Sequence, residues 1–452
     1  MNLIDDHGLR SAPAPARPAV ERRARMPAGF VAGGGAAGIK ASGRSDLALI
    51  ASLGEPLAAA AVFTPNTFAA APVRRSRAVL IASNGWVRAV VSTSGSANAA
   101  TGRAGDEDQI RVGEIVASAL GIEADAILHL STGIIGTRLP LDKVEAGVMA
   151  LASALSASDE GLEAAADALR TTDTRTKAAT VTVALPQKGY GTRDARVTGI
   201  AKGVGMIHPN MATMLSVVLT DAAASPELLA SILRPAAART WNQLSVDGDT
   251  STNDTVFLLA SGASAADAVA VGTPAAHALA LAVEAVARDL ARQQAADGEG
   301  ATCLLTCEVT GAADDADARA VARAVISSSL VKAAAHGKDP NWGRIAGAAG
   351  NATLASAAVL EASGMESEQA RTRAGTPAAL DPDRLRIRIA GHLVFDGSAG
   401  GPQSLDLAAA REAMRGAEIT IDLDLGLGSG SGEAFGCDLT ETYVRENSEY
   451  TT

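Results

Sequence analysis

The sequence predicts an α/β protein in which β-sheets are covered by helices. Short apolar runs bounded by turn residues alternate along the chain with longer segments of helical spacing, and no internal repeat is evident. Of the 452 residues, 47% are hydrophobic and 20% are charged, which is typical of a globular protein. Only 3% are aromatic, so the core must consist mainly of Ala, Val, Leu and Ile.

The predicted elements follow one another from residue 26 onward. Apolar runs predict strands at residues 46–51, 60–64, 86–93, 178–185, 214–219, 255–260, 302–309, 385–389 and 419–425. Helical spacing predicts helices at residues 106–120, 141–170, 226–239, 273–296 and 316–328. The glycine-rich stretch that begins at Gly199 is predicted to be a loop leading into the strand at 214–219, and residues 426–432 are predicted to be a loop between strands.

Composition also limits the partners and the compartment. A net charge of −11 disfavours nucleic acid, which requires a basic surface. No apolar run is long enough and free enough of charge to predict a membrane span. Residues 1–25 lack the apolar core of a signal peptide, so we expect a mobile N-terminal extension. Three cysteines form an odd set, which favours structural thiols in a reducing, cytoplasmic compartment.

Two short patterns could indicate a nucleotide site or a metal site, but neither has the sequence context that such a site requires. Gly33, Gly35 and Gly38 satisfy G-x-G-x-x-G, but the residues that follow have no helical spacing, as a dinucleotide site would need. His208 has no second ligand at helical or turn spacing, and no Cys or His cluster is present. The sequence therefore predicts neither nucleotide binding nor a metal centre.

Thr213 stands immediately before the predicted strand at 214–219, and its hydroxyl has two interpretations. It could cap a turn, which is the ordinary role of such a threonine. Alternatively, the protein cleaves its own Ala212–Thr213 bond, which would leave Thr213 with a free α-amine. That amine, with a typical pKa of about 7.7–8.0, could then accept the proton of the Thr213 hydroxyl and activate it as a nucleophile.

The stretch 199–215 closely resembles the autocleavage segment of the glutamate N-acetyltransferase/ornithine acetyltransferase family of arginine biosynthesis. The resemblance extends over residues 27–452 and is carried by motifs in the same order and at the same spacing. These motifs are Gly38-Ile-Lys-Ala-Ser-Gly-Arg, Ser131-Thr-Gly-Ile-Ile-Gly, Thr171-Thr-Asp-Thr, Ser245-Val-Asp-Gly-Asp-Thr-Ser-Thr-Asn-Asp-Thr, Asp297-Gly-Glu-Gly-Ala-Thr, Asp339-Pro-Asn-Trp-Gly-Arg, Gly436-Cys-Asp-Leu-Thr and the tail ending at Thr452.

The resemblance implies a layered αββα sandwich of the ornithine acetyltransferase type, with two intertwined chains after autocleavage. The alpha chain would comprise residues 26–212 behind the extension 1–25 and carry the oxyanion hole and part of the substrate site. The beta chain would comprise residues 213–452 and begin with the nucleophile. Assembly into α2β2 or a larger oligomer is the family expectation.

The resemblance also assigns roles to individual residues. Thr213 would be the nucleophile, and Thr132 and Gly133 would form the oxyanion hole. The substrate-binding residues would be Thr171, Lys202, Thr213, Glu299, Asn447 and Thr452. Lys202 is a suitable partner for a substrate carboxylate and Glu299 for the ornithine ammonium. The match of the tail up to its last residue implies that the chain end docks into the site.

The reaction implied is a ping-pong transfer of acetyl from N2-acetylornithine to glutamate through an acetyl-Thr213 ester. Some family members also take the acetyl group from acetyl-CoA, which is therefore a second candidate donor. The resemblance implies no metal and no organic cofactor, because the protein itself carries the acyl group.

The sequence departs from the family pattern, and the departures leave alternatives open. Thr93 and Ser96 stand where the family usually has asparagine, and Cys303 stands where a lysine is common. One alternative is a paralogous N-acyltransferase of a specialised-metabolite pathway of the clavulanic-acid type. A second is a hydrolase similar to β-peptidyl aminopeptidases, in which water rather than an amine attacks the ester. A third is an uncleaved, non-catalytic scaffold protein.

Overall fold

The strands and helices alternate along the chain. The computed structural model describes residues 17–208 and 214–448. The strands are Phe30–Gly35 (β1), Leu47–Ser52 (β2), Leu57–Phe63 (β3), Trp86–Val87 (β4), Ala89–Ser96 (β5), Ile127–Ile134 (β6), Lys177–Gln187 (β7), Gly191–Lys202 (β8), Leu215–Thr220 (β9), Leu244–Ser245 (β10), Thr255–Ala260 (β11), Leu304–Ala312 (β12), Arg386–Ile389 (β13), His392–Asp396 (β14), Gly401–Pro402 (β15), Glu418–Asp424 (β16) and Gly430–Cys437 (β17).

Several helices begin at a side chain that caps their first turn, as the helices Pro226–Arg239 and Pro274–Ala296 show. Ser225 and Thr273 each accept a hydrogen bond from a first-turn N–H, and each is followed by a proline, which has no N–H that would need an acceptor. The helices are Ala71–Ala82 (α1), Gly102–Leu120 (α2), Leu141–Ala152 (α3), Asp159–Leu169 (α4), Pro226–Arg239 (α5), Pro274–Ala296 (α6), Asp315–Ser327 (α7), Ser329–His336 (α8), Trp342–Gly350 (α9), Ala357–Ala362 (α10), Ser367–Arg373 (α11), Leu407–Ala413 (α12) and Glu441–Ser448 (α13).

Two sheets pack face to face between two helical layers. The first sheet has the order β1-β2-β5-β6 and the second the order β4-β3-β11-β9-β8-β7. Period-two alternation sends Ala48 and Ile50 of β2 toward the second sheet, whereas Leu47 and Leu49 pack with apolar residues of α2 and α3. On the far side of the second sheet, α5 and α6 complete the core. The result is the αββα sandwich that the family resemblance implied.

A third sheet stands beside this sandwich. Its order is β10-β17-β12-β16-β13-β14-β15, and α7, α8 and α9 share its apolar core. Helix α6 packs against β7 and β8 and also against β12 and β17, so it connects the third sheet to the sandwich. The loop that follows α6 is held between them.

Most predicted elements are confirmed, and α5 and β11 match their predicted bounds. The prediction of one helix over 141–170 was wrong, because α3 ends at Ala152 and α4 begins at Asp159. Between them, Ser156 forms an isolated antiparallel bridge with Ala32, which takes the chain out of helical geometry. The glycines at 33 and 35 lie in strand β1 with no helix after them, so the structural context of a dinucleotide site is absent from this described part of the chain.

The predicted loop beginning at Gly199 was also wrong at its start. Residues 191–202 form strand β8, paired with β7 and with β9. A Cβ at Gly199 would lie 2.6 Å from Leu290 Cδ1 and 2.7 Å from Val286 Cγ1. The glycine therefore allows α6 to pack closely on the sheet and is not a turn signal.

Part of the expected N-terminal extension packs against the fold. Glu21 forms backbone hydrogen bonds of 2.9 and 2.8 Å with Thr180 of β7, and Arg22 forms an ion pair of 3.0 Å with Asp289 of α6. Ala24 is buried in the core between the two sheets. Residues 17–25 thus lie along the edge of the second sheet.

None of the helices in residues 17–208 and 214–448 is both long enough and apolar enough to cross a membrane.

Candidate active site

A cavity of about 350 Å³ opens where strands of the two packed sheets begin and end. Strands β6 and β8 end there, and β9 and β11 begin there. Its described lining is Ala97, Thr132, Gly133, Ile134, Ile135, Thr171, Thr172, Lys202, Gly205, Met206, Ser251, Thr252, Asn253, Glu299 and Asn447. This volume lies within the range typical of small-molecule sites.

The structure brings six of the sequence-predicted site residues together in this cavity: Thr132, Gly133, Thr171, Lys202, Glu299 and Asn447. The remaining three, Ala212, Thr213 and Thr452, lie outside the described residues. Met214, which follows Thr213 in the chain, is buried, and its carbonyl accepts a hydrogen bond of 2.9 Å from the Thr255 N–H. Leu215 pairs with Lys202 in the ladder between β8 and β9, so β9 begins beside the cavity.

Thr132 and Gly133 lie at the end of β6, where only glycine fits the second position. Gly133 has a φ of +126°, and a Cβ there would lie 2.4 Å from the carbonyl carbon of Gly95. Strands β5 and β6 run parallel, with Gly95 opposite Gly133, and an irregularity at Ser96 ends the regular ladder. The close approach of the two strands therefore requires both the positive φ and the missing side chain at Gly133.

Lys202, at the end of β8, is buried and donates a hydrogen bond of 3.1 Å to Thr132 Oγ1. An ammonium can only donate, so the Thr132 hydroxyl is the acceptor and its own proton can be directed to a third group. Burial lowers the pKa of Lys202, an effect that Asp173 and Glu299 oppose. Thr132 thus offers a hydroxyl donor to the cavity, and the positively charged Lys202 lies directly beside it.

A buried ion-pair cluster supports the wall of the cavity. Lys177 Nζ lies 2.6 Å from Asp173 Oδ1 and 2.6 Å from Asp297 Oδ2, and all three side chains are inaccessible or nearly so. Asp173 also accepts hydrogen bonds from the N–H groups of Gly203 (2.8 Å) and Thr171 (3.1 Å). Burial alone would raise the pKa of Asp173, but Lys177 and Lys202 bring it down to about 2, so the carboxylate is ionised at neutral pH.

Glu299 lies in the loop after α6 and faces the cavity from the side of the third sheet. Its carboxylate accepts hydrogen bonds from Thr172 Oγ1 (2.7 Å) and from Asn447 Nδ2 (2.9 Å). Its backbone N–H donates to the Val204 carbonyl at 2.8 Å. A Cβ at Gly205 would lie 2.2 Å from Glu299 Oε2, so this glycine leaves the space that the carboxylate occupies.

Asn253, just before β11, was not predicted, although it lies in one of the motifs that carry the resemblance. Its side-chain amide donates hydrogen bonds of 2.7 Å to the carbonyls of Ala97 and Ser131. These carbonyls follow β5 and precede Thr132, so the amide fixes the ends of the first sheet relative to the second. Asp173 and Asp297 also lie in such motifs, but no sequence signal pointed to Lys177.

The three departures from the family pattern lie outside the described lining. Thr93 Oγ1 and Ser131 Oγ are 2.8 Å apart, and Ser96 Oγ donates to the Thr137 carbonyl at 2.8 Å. Cys303 is buried and accepts a long hydrogen bond of 3.5 Å from Lys338 Nζ. None of the three side chains is therefore in the described wall of the cavity.

No group of three or more His, Cys, Asp or Glu side chains that could hold a metal ion occurs in the part of the chain that the structure describes. His208 Nδ1 lies 3.1 Å from Ser245 Oγ. Burial, together with Arg323 and Lys332, lowers the pKa of His208 to about 4, so the imidazole is neutral at physiological pH.

Fold and cavity together define an αββα enzyme whose site is suited to a small amino acid, because an ammonium and a carboxylate face a common space. The chain belongs to the ArgJ family, whose sequence profile matches residues 31–452. "Arginine biosynthesis bifunctional protein ArgJ" of Thermus thermophilus is 45% identical over 433 residues, covering 95% of this chain and 99% of the relative. The protein of the same name from Synechococcus sp. is 46% identical, covering 94% and 96%.

Among solved structures, "Ornithine Acetyltransferase complexed with Ornithine" from Mycobacterium tuberculosis is 41% identical to the matched part. The match covers 42% of this chain and 97% of that chain, with a TM-score of 0.38.

Proposed function

We propose that the protein transfers the acetyl group of N2-acetylornithine to glutamate, the ornithine acetyltransferase reaction of arginine biosynthesis. Membership of the ArgJ family supports this, as does near full-length similarity to relatives named for arginine biosynthesis. The observation that carries the proposal is the grouping of Thr132, Gly133, Lys202 and Glu299 around one cavity beside the start of β9.

The reaction begins with cleavage of the Ala212–Thr213 bond, which leaves a free α-amine on Thr213. This amine accepts the hydroxyl proton as Thr213 Oγ attacks the acetyl carbonyl carbon, and the carbonyl oxygen becomes an oxyanion. The Thr132 hydroxyl and the Gly133 N–H donate to the oxyanion. Collapse of the tetrahedral intermediate breaks the bond to the ornithine α-nitrogen, which takes up the proton, and acetyl-Thr213 remains. The glutamate amine then attacks this ester by the reverse sequence and restores the hydroxyl.

Substrate is held by charge complementarity. Lys202 is buried with one proton directed at Thr132, so its other protons can meet an α-carboxylate. Glu299 meets the side-chain ammonium of ornithine, with Asn447 and Thr172 orienting its carboxylate. Thr171 and the terminal Thr452 complete the set of substrate contacts. Ile134, Ile135 and Met206, each 37–43% exposed, offer apolar surface for the methylene chain.

The mechanism uses neither a metal nor an organic cofactor, because Thr213 carries the acetyl group. Acetyl-CoA is a second donor that would make N-acetylglutamate through the same ester. The cleaved alpha and beta chains assemble as α2β2 or a larger oligomer, and the enzyme acts in the cytoplasm. The departures from the family pattern are not in the described lining of the cavity, which favours this reaction over that of a specialised-metabolite paralogue.

Maturation is tested by intact mass under denaturing conditions with N-terminal sequencing. We expect pieces of about 21 and about 24 kDa, in proportion to chain length, with the larger beginning Thr-Met-Leu-Ser. Thr213→Ala should give one uncut chain of 45.4 kDa. An active wild-type preparation that consists of the uncut chain would rule out the N-terminal-threonine mechanism.

Activity is tested by product analysis of N2-acetylornithine with and without glutamate. We expect N-acetylglutamate and ornithine in equal amounts, formed only when glutamate is present. Free acetate released at an undiminished rate without glutamate would indicate a hydrolase instead. Replacing N2-acetylornithine by acetyl-CoA then determines whether the thioester is a donor.

A further inference from the structure

A second cavity, of about 400 Å³, borders the candidate active site without sharing a lining residue with it. Thr250 and His208 line this cavity, whereas Ser251 and Met206, which are close to them in the sequence, line the candidate active site. The rest of its wall comes from helix α7 and from residues 351–363. Neither the family resemblance nor the proposed reaction assigns a role to it.

Two arginines of α7 face this cavity. Arg319 and Arg323 are four residues apart, so they lie one above the other on the same side of the helix, with Ser327 one turn further. Arg323 forms no hydrogen bond or ion pair with any described residue, and its Nε is fully buried. The Arg319 side chain is 12% exposed, and its ion pair to Asp315 is long, at 4.0 Å, to a carboxylate that is itself 61% exposed.

Asp315 and Glu284 partly balance the charge of Arg319, but neither of these side chains lies in this cavity. Its described lining contains no aspartate or glutamate. Burial lowers the pKa of Arg323 to about 10, which still leaves the guanidinium protonated at neutral pH. A buried cation without a partner costs free energy, so an anion that entered this cavity would be bound by relieving that cost.

The remaining polar side chains suit an oxyanion with several acceptor oxygens. Asn351, Thr353 and Ser356 supply amide and hydroxyl donors. Arginine is the side chain whose planar donors best match phosphate oxygens, and two of them provide two positive charges for a dianion. The cavity is also larger than a lone phosphate requires, which favours a phosphate that carries an organic group.

We propose that this cavity binds the phosphoryl group of a phosphate ester through Arg319 and Arg323. The phosphoryl group could come from a free phosphorylated metabolite or from coenzyme A, whose thioester end would then lie toward the neighbouring acyl-transfer cavity. The coenzyme A source depends on the proposed function, whereas binding of the phosphoryl group does not.

The test is isothermal titration of the full-length protein with inorganic phosphate and, separately, with coenzyme A, at an ionic strength held constant with chloride. We expect saturable binding to the wild type, weakened at least tenfold in Arg323→Gln and in Arg319→Gln, because each variant loses charge-assisted hydrogen bonds. Arg103→Gln is the matched control, since Arg103 is 92% exposed and pairs with Glu107 on α2. Its affinity should equal that of the wild type.

The two sources are separated by comparing affinities. If coenzyme A binds more tightly than phosphate and is displaced by phosphate, the ligand is the thioester donor. If phosphate binds and coenzyme A does not, the ligand is a free phosphorylated metabolite. No saturable binding of either ligand to the wild type, or unchanged binding to Arg323→Gln, overturns the proposal. Arg323→Lys, which keeps the charge, should retain part of the affinity and checks that a loss in Arg323→Gln is not a loss of fold. Transfer from N2-acetylornithine to glutamate, assayed without phosphate or coenzyme A, tests the proposed function separately.

Discussion

At the residue scale, the candidate site depends on glycines that leave room for specific neighbours. Gly133 and Gly205 are both tightly surrounded, but by different kinds of atom. Gly133 faces the backbone of Gly95, which cannot move without disturbing two strands, whereas Gly205 faces the end of the flexible Glu299 side chain. The two sites should therefore respond differently to the same substitution.

For Gly133→Ala we expect a loss of kcat by a factor of about 10²–10³ and a lower thermal midpoint. The new Cβ meets backbone at 2.4 Å, so the N–H proposed for the oxyanion hole is displaced. The measurements are steady-state kinetics and thermal unfolding. Gly136→Ala is the control, because Gly136 also has a positive φ (+87°) but no atom within 4 Å of its Cβ position. If kcat falls equally in the two variants, the loss in Gly133→Ala comes from backbone strain alone and not from the clash with Gly95.

For Gly205→Ala we expect a rise in KM for N2-acetylornithine of about 10- to 100-fold, the value of one hydrogen-bonded charge, with little change in thermal midpoint. The Cβ moves the Glu299 carboxylate away from Thr172 and Asn447. A double-mutant cycle with Glu299→Ala checks the cause, because the two effects should not add. If the KM changes of the two variants add, Gly205 acts on KM through some group other than Glu299.

At the scale of the elements, strong apolar periodicity predicted the helices α2, α5, α6 and α7 and strands such as β9 and β11, whereas α1 and the helices from α8 onward were not predicted. No strand was predicted over residues 191–202, where β8 lies, and its last residues were predicted to be a loop because glycine is common in turns. The close contact of Gly199 with Leu290 and Val286 of α6 explains this glycine instead. The layered order of the sheets came from the family resemblance and not from periodicity, which gives no information on which strands pair.

The candidate site was predictable only in part, because some of its residues act through contacts with distant parts of the chain. The predicted residues came from motifs, but Lys177 and Asn253 act through hydrogen bonds to residues more than one hundred positions away in sequence. Residue type and spacing cannot show that a buried lysine joins two motifs. Such contacts become visible only when the fold brings the segments together.

For Asp173→Asn we expect a loss of about 3–5 kcal/mol in stability at pH 7, because Lys177 loses one of its two buried partners. The folded pKa of Asp173, about 2, is below its ordinary value of 3.8, so its contribution is complete above pH 3.8 and is lost as the pH falls toward 2. Thermal midpoints of the wild type and the variant should therefore stay apart down to about pH 4 and converge as the pH falls from there toward 2.

The control for this variant is Glu107→Gln, which removes an exposed ion pair and should cost at most about 1 kcal/mol. A difference between wild type and Asp173→Asn that stays constant from pH 7 down to pH 2 would contradict an ionised Asp173 in the folded protein.

At the scale of the whole molecule, the second sheet combines strands from both sides of the proposed cleavage point. Strand β11 lies between β3 and β9, and β9 pairs with β8. We therefore expect the two pieces to co-elute as one species in size-exclusion chromatography and to separate only in denaturant. Recovery of either piece alone in folded form under native conditions would contradict this.

The interleaved sheet also implies that the cleaved protein, once unfolded, does not refold efficiently. Before the cut, β3 finds β11 within its own chain, at the high effective concentration that a covalent connection provides. After the cut, the same pairing must be made between separate molecules, and exposed strand edges can aggregate first. The lifetime of the mature enzyme would then be governed by its rate of unfolding and not by an equilibrium. After a brief heat exposure, we expect the circular-dichroism signal of the folded state to recover in uncut Thr213→Ala, whose sheet can re-form within one chain, but not in the cleaved form.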